Sequence, residues 1–201
     1  TIVNKIQDLR MGMKKEGFDC LAVVPGPNLY YITSKKFHLS ERPVVLFIED
    51  NNLTFILPEL ESQKLEGLGV DSLTYSDVSG PQQAFDIFFE NKQFKKIGIE
   101  SRIMRHLELN LIDRQGSEIV DSMFMFAKLR TKKSNDEIKL VEKAVSIAEK
   151  SLNSIINKLT SGISEKDFAS QLVMELLKNG SESELPFSPI VASGANAANP
   201  H

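Results

Sequence analysis

A stripe of apolar residues in the last third of the chain constrains its fold more than any other sequence feature. The stripe residues recur at alternating intervals of three and four: Ile138, Val141, Val145, Ala148, Leu152, Ile155 and Leu159. This spacing places them along one face of an α-helix. Ser134 and Glu137 have the spacing of a capping box at the start of that helix, and Gly162 follows its end. The pattern predicts a long helix whose apolar face needs a surface to pack against.

A second helix with its own cap is predicted directly after the first. Ser164 and Asp167 form the cap, and the apolar residues Phe168, Leu172 and Leu176 follow at helical spacing. Asn179-Gly180 closes the helix, and an acidic loop then leads to residues 186–192, which we predict to be a strand. These elements predict a helical start of a second domain, covering residues 129–201.

The first 128 residues have a different organisation, in which strand-like and helix-like segments alternate. A helix is predicted over 2–16, a buried strand over 19–24, and a hairpin from the apolar runs 42–49 and 53–57. Helix-like and strand-like segments, the first of them a helix over 58–68, alternate from there to residue 120. The pattern predicts an α/β domain with a mixed sheet over residues 1–128, followed by the basic connector 129–133.

Composition and motifs exclude several classes of function. The 24 basic and 27 acidic residues give a net charge of −3 and are scattered along the chain, which argues against nucleic-acid binding. No apolar run approaches the ~20 residues that span a bilayer. No glycine-rich dinucleotide or phosphate-binding motif is present. The single Cys20 lies in an apolar run and is predicted to be a small buried side chain, which favours a reducing, cytoplasmic setting.

Five segments, in order along the chain, resemble the Xaa-Pro peptidases, the family of prolidase and aminopeptidase P. The last of them, residues 185–201, has a Phe, an Ile-Val pair and a Ser-Gly that lead to a Pro-His pair. Residues 129–138 resemble the segment that opens the family's pita-bread catalytic domain, and residues 162–165 resemble the turn between its first two helices. Residues 25–32 and 97–100 are similar to segments of its creatinase-like N-terminal domain.

The resemblance implies a fold class and an activity. The fold is α/β, a creatinase/prolidase-type N-terminal domain with a mixed sheet and flanking helices. It is followed by the first helices and strand of a truncated α+β pita-bread domain. The implied activity is hydrolysis of the bond before proline in Xaa-Pro di- or oligopeptides, by a dipeptidase or aminopeptidase that forms a homodimer.

The resemblance also implies two divalent metal ions in the intact protein. Bridged cations lower the pKa of the water between them, and a carboxylate-rich ligand set with one imidazole suits Mn²⁺ or Co²⁺. The family holds these ions with two Asp, one His and two Glu that all follow the Pro-His pair. We therefore expect no metal ligands and no activity within these 201 residues. Capping or solvated roles are predicted for acidic residues after residue 130, among them Asp136, Glu137, Glu142, Glu149, Glu165 and Asp167.

Two histidines are candidate site residues. The resemblance gives His201 a catalytic and substrate-binding role, a hydrogen bond to the substrate near the scissile bond; otherwise it is an ordinary exposed histidine. His38 lies in the polar loop 33–41. It is either a solvated loop histidine or a substrate-binding residue of a loop that overhangs the active site of a partner subunit.

Two alternative functions have the same architecture. One is a catalytically silent relative that acts as a peptide- or protein-binding module. The other is a creatinase-like hydrolase that acts on a small amidine-type substrate without metal. The metal-ligand positions beyond residue 201 separate both alternatives from a peptidase.

Overall fold

The computed structural model describes residues 2–199 and divides into two units between Lys132 and Lys133. The helices and strands of the first unit are, in chain order, α1 (Ile2–Glu16), β1 (Cys20–Val23), α2 (Pro27–Thr33), β2 (Val45–Glu49), β3 (Leu53–Pro58), a 3₁₀ helix (Glu59–Leu65), β4 (Asp71–Tyr75), α3 (Gln82–Phe89), β5 (Lys96–Ile99), α4 (His106–Ile112), β6 (Glu118–Asp121) and α5 (Met123–Thr131). Those of the second unit are α6 (Asn135–Ile155), a 3₁₀ turn (Ile156–Lys158), α7 (Glu165–Lys178) and a 3₁₀ helix (Gly194–Ala198).

The first unit is built on a six-stranded mixed sheet with the strand order β4-β3-β2-β1-β5-β6. The β2–β3 hairpin is antiparallel, as predicted, and pairs Val45 with Ile56. β1 is antiparallel to β2 but parallel to β5, so it joins the hairpin to the parallel part of the sheet. All four residues of β1 are buried, because both faces of the sheet are covered.

The alternation of side chains in β1 supplies two hydrophobic cores. Leu21 and Val23 point to one face, where α1 and α5 pack. Cys20 and Ala22 point to the other face, where α3 and α4 pack. On that second face the rings of Phe47 and Phe88 stack with centroids 4.0 Å apart, and aromatic residues of α3 surround them. Cys20 is fully buried, as predicted, and burial raises the pKa of its thiol.

Three sequence predictions differ from the structure. Helix α5 was not predicted, and the predicted connector 129–133 begins inside it; its Met125 and Phe126 are buried against the α1 side of the sheet. The predicted helix 58–68 is a 3₁₀ helix over Glu59–Leu65. The predicted strand 186–192 is wrong: these residues form no ladder with any other described segment. Proline at 186 and 189 lacks the backbone N–H that a ladder needs.

The second unit contains the two predicted capped helices. The Ser134 hydroxyl accepts from the Glu137 amide, and the Glu137 carboxylate accepts from the Ser134 amide, which confirms the capping box of α6. The two helices contact each other, but the only buried residues on them are Ser151, Ile155 and Phe168. The apolar stripe therefore stays largely exposed, with Val141 at 55% and Val145 at 50% of full exposure. Among residues 2–199, no helix combines the length and the apolar character that crossing a bilayer requires.

A fully buried carboxylate, Glu100, ties the end of the sheet to two helices of the first unit. Its Oε2 accepts from the Val24 N–H at 2.8 Å, directly after β1, and its Oε1 accepts from Asn28 Nδ2 at 2.8 Å, in α2. The other end of the Asn28 amide accepts from Arg130 Nη1 at 2.8 Å, in α5. Burial raises the pKa of Glu100, although the two hydrogen bonds and the charge of Arg130 favour its ionised form.

We expect Glu100→Gln to lower the free energy of unfolding by about 1–3 kcal/mol, the usual cost of one unsatisfied buried polar group. Glutamine has nearly the same shape, but its amide would face the Asn28 amide. Turning Asn28 round would point that amide at Arg130, so one donor is left without an acceptor in both arrangements. Urea denaturation at neutral pH measures the loss. Glu118→Gln, at an exposed carboxylate on β6, is the matched control and should stay within about 0.5 kcal/mol of the unsubstituted protein. Equal stability of the Glu100→Gln and unsubstituted proteins would contradict the proposed role of this carboxylate.

Candidate functional site

The segment that ends in the predicted active-site histidine turns sharply after α7. Ser193 is followed by a 3₁₀ helix over Gly194–Ala198, and the Asn196 and Asn199 amides donate to the carbonyls of Ser193 and Asn196. Gly194 has a φ of 54°, a left-handed conformation that glycine adopts without strain. We call residues 193–199 the tail. His201 lies outside the described residues, so its predicted role stays a prediction.

The carboxylate of Glu165, in the first turn of α7, binds the tail. Its Oε1 accepts from the Ser193 N–H at 2.7 Å, and its Oε2 accepts from Asn196 Nδ2 at 3.0 Å. The hydrogen bond from the Ser193 amide, with that from Asn196 next, holds the pKa of Glu165 below its usual value. A carboxylate that accepts from a backbone amide forms one of the stronger classes of hydrogen bond.

This contact was missed by sequence reasoning, which assigned Glu165 a capping or solvated role. The cap of α7 is made instead by Ser164 and Asp167: the Ser164 hydroxyl accepts from the Asp167 amide at 3.0 Å and donates to the Asp167 carboxylate at 2.7 Å. A signal for the contact was available in the sequence. Glu165 and the tail lie in two separate segments, 162–165 and 185–201, that resemble the same family. Two such segments are candidates for mutual contact, whereas helical spacing within α7 carries no information about the tail.

The other acidic residues of the second unit do not form a metal site. Glu137 and Asp167 accept hydrogen bonds at the starts of their helices. Asp136 pairs with Lys139 at the surface, at 3.4 Å. Within residues 2–199, no group of three or more His, Cys, Asp or Glu side chains is arranged to hold a metal ion. The described residues therefore do not supply the ligand set of a dinuclear centre.

His38 is exposed in the loop between α2 and β2, and the residue before it is anchored. The Phe37 side chain is buried, with its ring centroid 5.5 Å from that of Phe55 in β3. Lys64 Nζ lies 5.0 Å from the centre of the Phe37 ring and donates to the Lys36 carbonyl at 3.1 Å. These contacts hold the loop, just before His38, against β3 and the 3₁₀ helix that follows it.

The same loop is anchored again directly after His38. Arg105 Nη1 donates to the Ser40 carbonyl at 2.7 Å. Arg42 binds Asp77 through two parallel hydrogen bonds of 2.7 and 2.8 Å, which lower the pKa of Asp77. The loop therefore presents His38 to solvent between two fixed points.

The fold of the first unit is a mixed α/β sheet domain, and the second unit begins with a capped pair of helices. The sequence matches the Creatinase/Prolidase N-terminal domain over residues 5–132. It matches metallopeptidase family M24 over residues 139–201. The chain therefore belongs to the creatinase/prolidase family of Xaa-Pro peptidases.

Named relatives agree with this assignment. The Xaa-Pro dipeptidase of Pyrococcus horikoshii is 26% identical over 208 residues, which cover 98% of this chain and 54% of that protein. The crystal structure of recombinant prolidase from Thermococcus sibiricus superposes with a TM-score of 0.91 at 28% identity, over 100% of this chain and 56% of that one. The chain thus spans about half the length of these two relatives.

A third comparison concerns the first unit. It is with the crystal structure of the Creatinase/Prolidase N-terminal domain of an X-Pro dipeptidase from Streptococcus pyogenes. The match covers 64% of this chain and 99% of the chain in that structure. Its TM-score is 0.58 at 14% identity, which shows the fold alone.

Proposed function

We propose that the intact protein is an Xaa-Pro peptidase, a dipeptidase or aminopeptidase that hydrolyses the bond before proline. The observation that carries this proposal is the consecutive match of the chain to the creatinase/prolidase domain and to metallopeptidase family M24. Relatives named Xaa-Pro dipeptidase and prolidase support the same substrate class. The boundary between a domain of residues 1–128 and one of residues 129–201 belongs to the same proposal.

The M24 family implies divalent metals in the intact enzyme, and we infer Mn²⁺ or Co²⁺. Bound divalent ions would supply a water molecule acidic enough to act as a nucleophile at neutral pH. The resemblance puts the ligand positions after His201, and we assign the residues before them a part in placing other groups. His201 is proposed to hydrogen-bond the substrate near the scissile bond, and the anchored His38 is proposed to bind the substrate from a partner subunit.

A cytoplasmic homodimer completes the proposal. The buried, unpaired Cys20 is compatible with a reducing compartment. We assign the dimer contact to the loop of His38, which is exposed at the histidine and anchored on both sides of it.

We expect the intact protein, loaded with Mn²⁺ or Co²⁺, to hydrolyse peptides with proline in the second position. Release of proline or of the first residue, measured by chromatography, tests this directly. The controls are the same peptides with alanine in place of proline and the protein treated with a chelator. Comparing Xaa-Pro dipeptides with longer peptides separates a dipeptidase from an aminopeptidase.

Each alternative function predicts a distinct failure of this assay. A protein that binds no catalytic metal and cleaves no Xaa-Pro peptide would be a silent binding module, and one that binds two metals yet cleaves no such peptide would also rule out the peptidase. A protein that hydrolyses a small amidine-type substrate without metal would be creatinase-like. Each of these results would contradict the proposed peptidase.

We expect His201→Ala to lower kcat by about 10²–10⁴-fold, the usual contribution of a positioned hydrogen-bonding or proton-transferring group. Metal content, measured by elemental analysis, should stay unchanged. His106→Ala is the matched control, because His106 is exposed at the start of α4 and contacts Asn110. Loss of metal together with activity would show that His201 is a ligand and would contradict the proposed role.

We expect His38→Ala to raise the KM for Xaa-Pro peptides about fivefold, since one net hydrogen bond contributes about 1 kcal/mol. The proposed origin of His38 in the partner subunit is tested by mixing subunits. A dimer of one His38→Ala and one His201→Ala subunit has one site with both histidines. Mixing should therefore raise kcat/KM, counted per His38→Ala subunit, towards that of the unsubstituted enzyme. No recovery in proven mixed dimers would contradict the placement of His38 across the interface.

A further inference from the structure

We propose that Glu165 is a positioning residue of the peptidase: its carboxylate holds the tail, and through the tail it sets the position of His201. This inference rests on the proposed function, because it assigns Glu165 a role in the same site. Glu165 does not contact substrate in this account. It acts through the segment that leads to the histidine.

The first argument is geometric. Glu165 binds the tail at two points three residues apart, the backbone of Ser193 and the side chain of Asn196. Those two points bracket the turn at Gly194, where the chain has the conformational freedom of glycine. A carboxylate that bridges both sides of a flexible turn restricts the turn more than one hydrogen bond on either side would.

The second argument is the short distance along the sequence. His201 follows Asn196 by five residues and the 3₁₀ helix by three. A connection this short transmits a displacement of the turn to the histidine. Misplacement of a reacting group by about 1 Å can cost about 10² in rate.

The third argument separates Glu165 from an ordinary acidic residue at a helix start. Acidic residues in the first turn of a helix stabilise the helix by interacting with its dipole, whichever way their side chains point. Asp167 lies in the same turn and bonds to the Ser164 hydroxyl at 2.7 Å, within the helix cap. Glu165 instead directs its carboxylate at the tail. Asp167 is therefore a matched control with the same charge in the same turn.

Kinetics of the intact, metal-loaded protein test the proposal. Glu165→Ala should lower kcat about 10²-fold with unchanged metal content, and Asp167→Ala should leave kcat near that of the unsubstituted protein. Asn196→Ala, which does not change α7, should cause a smaller loss of kcat than Glu165→Ala. Glu165→Gln should recover most of the activity, because its oxygen accepts from the Ser193 amide and its amide donates to Asn196 once that side chain turns round.

A double-mutant cycle separates positioning of His201 from a general structural role. If Glu165 acts through His201, then Glu165→Ala should cause little further loss in a His201→Ala background. Full additivity of the two losses would overturn the proposal, and so would equal losses for Glu165→Ala and Asp167→Ala.

A measurement independent of activity distinguishes failure of this proposal from failure of the proposed function. The tail contains three alanines, Ala195, Ala197 and Ala198, whose methyl groups can be labelled with ¹³C in the intact protein. Methyl relaxation should show increased mobility at these positions in Glu165→Ala but not in Glu165→Gln or Asp167→Ala. If the unsubstituted protein cleaves no Xaa-Pro peptide, the proposed function fails, and unchanged methyl mobility in Glu165→Ala would still overturn the anchoring.

Discussion

The buried carboxylate of Glu100 is the interaction on which the first unit depends. It follows β5 and receives hydrogen bonds from the residue after β1 and from α2, while α5 joins the same network through Asn28 and Arg130. Asn28 and Arg130, which bond directly, lie 102 residues apart in sequence. An unpaired carboxylate at this depth would cost several kcal/mol, and the hydrogen bonds from Val24 and Asn28 offset that cost. Through Arg130 the network reaches α5, the helix that ends directly before the boundary between the two units.

Local patterns in the sequence predicted the helices and strands whose limits are set by residues close in sequence. The limits of α1, the β2–β3 hairpin and the caps of α6 and α7 follow from periodicity and from side chains close in sequence. The features missed depend on distant partners. Helix α5 has a weak pattern and is held by packing on α1. The contacts of Glu100 and Glu165 join residues that no spacing rule relates. The strand predicted at 186–192 contains two prolines and has no neighbour to pair with among the described residues.

The two units differ in how completely they bury their apolar side chains. The first unit covers both faces of its sheet and places aromatic clusters beneath α3. The second has well-formed caps and a polar contact between its helices through Asn179 and Ser151, but most of its apolar stripe faces water. Burying each large aliphatic side chain contributes about 1.5–3 kcal/mol. Most of the stabilisation that burial of the stripe would contribute is therefore absent from the second unit. An exposed apolar face of this kind is a surface for further packing.

Amide hydrogen exchange on the 201-residue chain tests this difference most directly. The account predicts slow exchange in the central strands β1, β2 and β5, where the amides are buried and paired. It predicts much faster exchange across residues 135–150 of α6, in a sample shown by sedimentation to be monomeric. Exchange across α6 as slow as in those strands, in such a monomer, would contradict the account, because the helix would then be stabilised without burial of its apolar stripe.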